Sequence, residues 1–211
     1  MSSKTEKLLS LLDGQPVIPV LKIEEAVHAV PLARALAKGG LRVIEITLRT
    51  GAALESIRRV ISEVEDAVVG AGTILDARQF EEAAQAGSKF IVSPGVTREM
   101  LTAAGDSPVP LLPGAITPGE IMMAREAGLD FLKFFPAEQA GGAAFLKALA
   151  SPFAGIRFCP TGGITTANAR DYLGLPNVIC VGGSWVAPDA MVKAGDWAGI
   201  EKLAREAAGM K

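Results

Sequence analysis

Short apolar segments rich in β-branched residues alternate with longer amphipathic segments along this chain. Apolar segments of this length predict buried strands, and the Ala- and Glu-rich stretches between them, such as 31–38 and 80–86, have the character of helices. Several of these stretches end in glycine, which favours a left-handed C-terminal cap. The eight predicted strands lie near residues 17–21, 43–48, 68–74, 90–94, 111–115, 131–136, 156–163 and 178–184.

The order of these segments predicts the fold. Strands that alternate with helices indicate a parallel α/β sheet, and eight such units indicate a closed (β/α)8, or TIM, barrel, with an open doubly wound sheet as the main alternative. Extra helices near Ser3–Leu12 and Trp197–Ala208 would cover the bottom or flank of the barrel. Pro31 fits only a first helical turn, so its helix is predicted to begin near His28. No linker divides residues 1–211, which predicts a single domain.

Composition narrows the functional classes. Hydrophobic residues make up 49% of the chain and charged residues 21%, as in ordinary globular proteins. A net charge of −2 and an aromatic content of 5% provide no basic surface with stacking residues, so we expect no nucleic-acid partner. No apolar run approaches the ~20 residues that span a bilayer, so we expect no membrane partner. Segment 1–8 does not resemble a signal peptide, and Cys159 and Cys180 form no CxxC pair, which predicts core thiols and a cytoplasmic location.

One predicted strand carries an unusual lysine. Segment 131–136 reads Phe-Leu-Lys-Phe-Phe-Pro and surrounds Lys133 with apolar and aromatic residues. A free lysine titrates near ~10.4, so well under ~1% of it is a nucleophilic amine at neutral pH, and an apolar environment disfavours the charged form. A Schiff-base enzyme requires the neutral amine, which makes Lys133 a candidate nucleophile. The segment alone also allows a lysine whose stem packs while its ammonium group reaches solvent.

Polar residues collect where the predicted strands end, which is where (β/α)8 barrels place their active sites. Glu45, Thr47 and Arg49 share one face of the second strand, and the opposite face is apolar and must pack under the helices. These polar side chains are therefore predicted to point into the barrel, although a simple Glu–Arg ion pair is an open alternative. The third and fourth strands end at Thr73 and at a turn containing Pro94.

Paired glycines follow the last two strands. Gly162-Gly163 and Gly182-Gly183, the latter followed by Ser184, leave backbone N–H groups free to donate to an anion. The loops after strands seven and eight often bind phosphate in (β/α)8 enzymes, so the two pairs predict a phosphate site. Tight turns without a ligand are the alternative interpretation.

Taken together, these motifs resemble the 2-keto-3-deoxy-6-phosphogluconate (KDPG) aldolase family, whose members are also described as 4-hydroxy-2-oxoglutarate (KHG) aldolases. The resemblance runs in the expected order from about residue 15 to near the C-terminus, and no position that carries chemistry departs from it. The segments that carry it are Glu45, 48–50, 70–73, 93–95, 131–138, 159–164 and 182–185.

The resemblance implies a bacterial Entner–Doudoroff enzyme. It would be a class I aldolase that uses no metal or other cofactor, forms homotrimers, and cleaves KDPG to pyruvate and glyceraldehyde 3-phosphate, with KHG cleaved to pyruvate and glyoxylate. It implies Lys133 as the Schiff-base nucleophile and Glu45 as the general acid/base. The implied substrate-binding residues are Arg49, Thr73, Pro94, Phe135 and Thr161, and the implied phosphate-binding residues are Gly162, Gly163, Gly183 and Ser184.

Three other functions remain open at this point. The substrate could be the C4 epimer, 2-keto-3-deoxy-6-phosphogalactonate. The chain could instead be a sugar-phosphate isomerase or epimerase that forms no covalent intermediate, or a barrel that binds a phosphorylated metabolite without catalysis. His28 is the only histidine, which disfavours metal sites and Ser–His sites that need more than one.

Overall fold

The computed structural model of the chain describes residues 3–210; residues 1, 2 and 211, at the ends of the predicted 1–211 domain, lie outside the described residues. Strands and helices alternate along the described part. The strands are β1 Val17–Leu21, β2 Val43–Thr47, β3 Val68–Gly72, β4 Phe90–Val92, β5 Leu111–Leu112, β6 Phe131–Phe134, β7 Arg157–Pro160 and β8 Val181–Gly183. The helices are α1 Ser3–Leu11, α2 Ala29–Lys38, α3 Ala53–Glu63, α4 Ala77–Gln85, α5 Arg98–Asp106, α6 Pro118–Glu126, α7 Gly142–Leu149, α8 Ala169–Leu173, α9 Asp189–Ala194 and α10 Trp197–Ala208.

The eight parallel strands close into a barrel. Six of them form one sheet in the order β5-β4-β3-β2-β1-β8, and β6 pairs with β7. Parallel bridges join the two groups on both sides, Gly114 with Lys133 on one and Thr161 with Gly182 on the other. At the first junction the Lys133 N–H donates to the Pro113 carbonyl at 2.8 Å. The (β/α)8 prediction is therefore confirmed, and the open doubly wound alternative is wrong.

Successive side chains along each strand pack into two different hydrophobic clusters, one inside the barrel and one between the strands and the outer helices. Val43, Phe90 and Phe131 pack inside the barrel together with α1, whereas Ile44 and Leu132 pack between the strands and the outer helices. This alternation follows from the two-residue period of a strand. Since Glu45 and Lys133 stand two residues after Val43 and Phe131, their side chains lie on the interior face as well.

The first helix covers the end of the barrel opposite the C-terminal ends of the strands. Leu8 and Leu12 are buried in the interior cluster, and the Lys4 ammonium group donates to the Ala104 carbonyl at the end of α5 at 2.5 Å. At the other end of the chain α10 packs against α2, and a Cβ at Gly39 would overlap the Ala204 side chain. Both extra helices of the predicted fold are present.

Most strands end earlier than the sequence predicts, because the chain leaves the ladder at residues that cannot continue it. The predicted third strand, 68–74, ends at Gly72, since Thr73 has a positive φ of 58°. The predicted seventh strand, 156–163, ends at Pro160, and Gly162 and Gly163 also have positive φ. The predicted strands 43–48, 90–94, 111–115 and 131–136 also end one to three residues early in the structure. The predicted eighth strand, 178–184, ends one residue early and begins only at Val181.

Helix α2 begins one residue after the predicted start. A short 3-10 turn, Ala26–His28, precedes it, and His28 is the N-cap residue without a side-chain cap. Pro31 lies in the first turn, where its missing N–H leaves no helical hydrogen bond unmade. Within residues 3–210, no helix combines the length and apolar character needed to cross a membrane.

Candidate active site

A lysine and a glutamate face each other inside the barrel. Lys133 Nζ of β6 lies 3.4 Å from Glu45 Oε1 of β2, and each side chain is only 4% exposed. Desolvation of two charged groups costs several kcal/mol per ion in proteins, so such a pair is retained only where each group satisfies the other or where chemistry requires it. Both side chains therefore lie inside the barrel, as the alternation along the second strand predicts for Glu45, and the Lys133 ammonium group does not reach solvent.

The surroundings of the pair are closely fitted. A Cβ built at Gly72 of β3 would overlap the carboxylate of Glu45, so only glycine leaves room for that side chain. The Phe135 ring also approaches the amine, with its centroid 5.3 Å from Lys133 Nζ, within cation–π range. The amine therefore has both a carboxylate and an aromatic face as neighbours.

An open cavity of about 300 Å³ lies at the C-terminal ends of the strands. Its position agrees with the usual site of (β/α)8 enzymes, and its volume suits a small metabolite. Seven of the predicted site residues line it: Arg49, Phe135, Thr161, Gly162, Gly163, Gly183 and Ser184. The buried pair is not part of this lining and adjoins it through Phe135 and through Thr47, which follows Glu45 on the same face of β2.

Two of the predicted substrate contacts lie outside the cavity wall. Thr73 contributes indirectly, because its hydroxyl accepts a hydrogen bond from Arg49 Nε at 3.0 Å. The predicted role of Pro94 in shaping an apolar wall has less support, since the cavity lining does not include it and its carbonyl lies against Gly114.

Sequence reasoning missed polar residues at the cavity rim. Lys22 lines the cavity directly after β1, and its ammonium group pairs with Glu24 at 2.5 Å. Asp189 lines it at the start of α9. The rule that sites lie at strand ends could have found Lys22, which follows the first predicted strand, whereas Asp189 stands in a helix start with no distinctive pattern.

The glycine loop after β7 presents backbone donors to the cavity. The carbonyl of Thr161 accepts from the Ala137 N–H at 2.8 Å, and the carbonyl of Gly162 accepts from the Glu138 N–H at 3.2 Å. In a planar trans peptide the N–H points opposite to its carbonyl, so the N–H groups of Gly162 and Gly163 point away from the β6–α7 loop. Both glycines line the cavity, and within residues 3–210 neither N–H has an acceptor.

Trp185 packs on Gly183, the second residue of the glycine pair that ends β8. A Cβ at Gly183 would overlap the Trp185 ring, which shows that the indole packs directly on this glycine. Ser184 between them is exposed and lines the cavity. Across residues 3–210, no three His, Cys, Asp or Glu side chains are grouped as metal ligands would be.

This combination of features defines a class of protein. A buried amine beside a carboxylate supplies a nucleophile and a proton carrier, while the guanidinium of Arg49 and the free N–H groups of the glycine loop provide two separate anion-binding ends. A (β/α)8 barrel built in this way has the layout of a Schiff-base enzyme for an anionic carbonyl compound.

Comparisons with known proteins agree with that class. The model of the KDPG and KHG aldolase family matches residues 8–203, so the chain belongs to this family. It is 50% identical to the KHG/KDPG aldolase of Escherichia coli K12 over 198 residues, 94% of this chain and 93% of that protein.

Two solved structures are also similar over nearly their whole length. The KDPG aldolase of Zymomonas mobilis ZM4 with 3-phosphoglycerate is 47% identical, with a TM-score of 0.93 over 98% of this chain and 97% of that one. The KDPG aldolase of Legionella pneumophila, with pyruvate captured as a covalent carbinolamine, is 44% identical, with a TM-score of 0.91 over 93% of this chain and 96% of that one.

The positive φ of Thr73 generates a prediction. The left-handed region costs about 1–2 kcal/mol for a residue with a Cβ and much less for glycine. We therefore expect Thr73→Gly to be more stable than Thr73→Ala by about 1 kcal/mol, the reverse of the order in helices. Urea unfolding of both variants measures the difference. An alanine variant as stable as the glycine variant would contradict the described backbone.

Proposed function

We propose that the chain is a class I aldolase that cleaves KDPG to pyruvate and glyceraldehyde 3-phosphate, and KHG to pyruvate and glyoxylate. The observation that carries the proposal is the buried contact of Lys133 Nζ with Glu45 Oε1 at 3.4 Å. Membership of the KDPG and KHG aldolase family supports it, as does the pyruvate carbinolamine of the Legionella relative.

Lys133 becomes a nucleophile when its ammonium group passes a proton to the Glu45 carboxylate 3.4 Å away. Its nitrogen lone pair attacks the C2 ketone of the substrate, and the carbinolamine so formed loses water to give a protonated imine. Glu45 lies within reach of both steps, where its carboxyl group delivers a proton to the departing hydroxyl group. The Phe135 ring limits the positions available to the nitrogen.

The imine then accepts the electrons of the breaking bond. Glu45 removes the proton of the C4 hydroxyl, the aldehyde forms at C4, and the C3–C4 bonding pair moves into the imine to give an enamine. Protonation of the enamine at C3 and addition of water to the imine release pyruvate and return Lys133 to the free amine. One group in contact with the amine can therefore serve both proton transfers.

The two ends of the substrate match the two anion-binding ends of the cavity. Arg49, whose guanidinium is oriented by Thr73, binds the carboxylate. Thr161 contacts the carbon chain, with Phe135 as an apolar neighbour. The phosphate lies on the N–H groups of Gly162 and Gly163 and on the second loop, at Gly183 and Ser184.

The assembly and location of the chain are proposals as well. The whole of residues 1–211 is proposed to be one barrel domain, since strand pairing continues around all eight strands. We further propose a cytoplasmic homotrimer, as the family resemblance implies. Sedimentation equilibrium should then give three times the chain mass of 21.9 kDa, and a mass equal to one or two chains would reject the trimer.

Chemical trapping tests the covalent route. With pyruvate and borohydride, the peptide that contains Lys133 should gain a reduced pyruvyl group, located by peptide mass. Lys133→Ala should not be trapped and should lose more than about 10³-fold in kcat, with circular dichroism as the check of folding. Lys89→Ala, which removes an exposed lysine, should be trapped as the wild type is. An unmodified Lys133 during turnover of KDPG would favour a non-covalent reaction.

Substitution of Gly72 tests the role of Glu45 without changing either charged residue. The new methyl group of Gly72→Ala must displace the Glu45 carboxylate from the amine, so kcat should fall by at least about 10²-fold, the scale of general acid–base catalysis. Gly51→Ala is the control, because its Cβ would meet no atom within 4 Å. A Gly72→Ala enzyme within threefold of the wild type would argue against Glu45 as the proton carrier.

A further inference from the structure

A buried tyrosine is hydrogen-bonded to a glutamate just outside the cavity. The hydroxyl of Tyr172, on α8, donates to Glu138 Oε1, and Tyr172 is only 1% exposed. Glu138 is an exposed residue in the loop between β6 and α7; it packs on Gly163 of the β7–α8 glycine loop and does not line the cavity. The reaction steps assigned to Lys133 and Glu45 use neither residue.

Glu138 holds the glycine loop in two ways. Its backbone N–H donates to the Gly162 carbonyl at 3.2 Å, which turns the Gly163 N–H away from the β6–α7 loop. Its side-chain stem packs on Gly163, where an added Cβ would lie only 2.6 Å from Glu138 Cγ. Gly163 has a positive φ of 76°, so the loop adopts a conformation that few residues other than glycine support.

Tyr172 keeps the carboxylate of Glu138 in place. Burial raises the pKa of the Tyr172 hydroxyl above its usual value, and the hydrogen bond to Glu138 raises it further. The hydroxyl therefore stays protonated, and remains a donor, throughout the neutral range. Without this donor the Glu138 carboxylate would be free to turn around Gly163 towards the cavity, where its charge would repel an anion.

We propose that Glu138 and Tyr172 are positioning residues for the phosphate end of the substrate. They act through the Gly162–Gly163 loop by fixing the direction of its N–H groups and by keeping a negative charge on the side that the loop carbonyls face, away from these N–H groups. This inference rests on the proposed function, which assigns the substrate phosphate to that loop.

Kinetics with two substrates separate this role from a purely structural one. Tyr172→Phe and Glu138→Ala should each raise KM for KDPG about five- to tenfold, the scale of one ordinary hydrogen bond lost, with kcat within twofold of the wild type. For KHG, which has no phosphate, kcat and KM should both stay within twofold. Glu138→Gln should restore KM for KDPG, because its amide oxygen can accept from Tyr172 and its stem still packs on Gly163.

Binding of inorganic phosphate provides a readout that does not depend on catalysis. Amide signals of Gly162 and Gly163 should shift in NMR titrations of the wild type with inorganic phosphate, and Tyr172→Phe should weaken this binding by the same factor as its KM change. Ser56→Ala is the control: it removes a buried hydroxyl that donates to the Ala52 carbonyl at 2.8 Å on α3, and should change neither KM nor phosphate binding.

The outcomes distinguish the inference from the function. If the wild type binds phosphate at this loop and prefers KDPG to KHG, but Tyr172→Phe and Glu138→Ala keep wild-type KM values, the positioning role is rejected. Equal losses on KDPG and KHG would also reject it, since they would show a general structural effect. A wild type that cleaves neither substrate would instead contradict the proposed function.

Discussion

The ion pair of Lys133 and Glu45 is the constraint on which the rest of the site depends. Removal of one member of a buried pair leaves an uncompensated charge and typically costs about 3–5 kcal/mol, so the barrel must bring β2 and β6 into a fixed relation across its interior. The apolar layer of Val43 and Phe131 below the pair excludes water from that side. Solvent and substrate therefore reach the amine from the cavity side, at the C-terminal ends of the strands.

Small residues make that arrangement sterically possible. Glu45 lies against Gly72, and Trp185 lies against Gly183, in each case where a Cβ would overlap the larger side chain. Glycine at these points allows a large side chain to approach the backbone within a densely packed barrel. Two of the glycines of the site are thus spaces for specific neighbours, while Gly162 and Gly163 serve as backbone donors.

Much of this organisation could be predicted from the sequence because it depends on periodicity. The alternation of residues in 43–48 correctly placed Glu45 and Thr47 in the interior, and the order of strands and helices correctly indicated the barrel. Strand ends were predicted too late, because apolar residues such as Ile74 continue the pattern after the chain has left the ladder at Thr73. Local conformation of that kind has no hydrophobic signature.

Contacts between segments that are distant in the chain could not be predicted from the sequence. Tyr172 and Glu138 are 34 positions apart, and neither has a pattern that indicates the other. Glu138 is an exposed loop residue, and nothing in the residues around it indicates that its carboxylate accepts a hydrogen bond from a buried tyrosine. Arg49 was correctly placed at the cavity, but its orientation by Thr73 depends on the conformation of a neighbouring strand end.

Helix α1 closes one end of the barrel, and the cavity opens at the other. Leu8 and Leu12 join the interior cluster there, far along the strands from the cavity rim. Substitutions that alter selectivity are therefore expected at the cavity end of the strands, and substitutions that alter folding at the end covered by α1. In a barrel whose two ends differ in this way, substitutions in the loops around the cavity can change specificity while the end covered by α1 keeps the fold stable. Such a barrel is a favourable starting point for laboratory evolution.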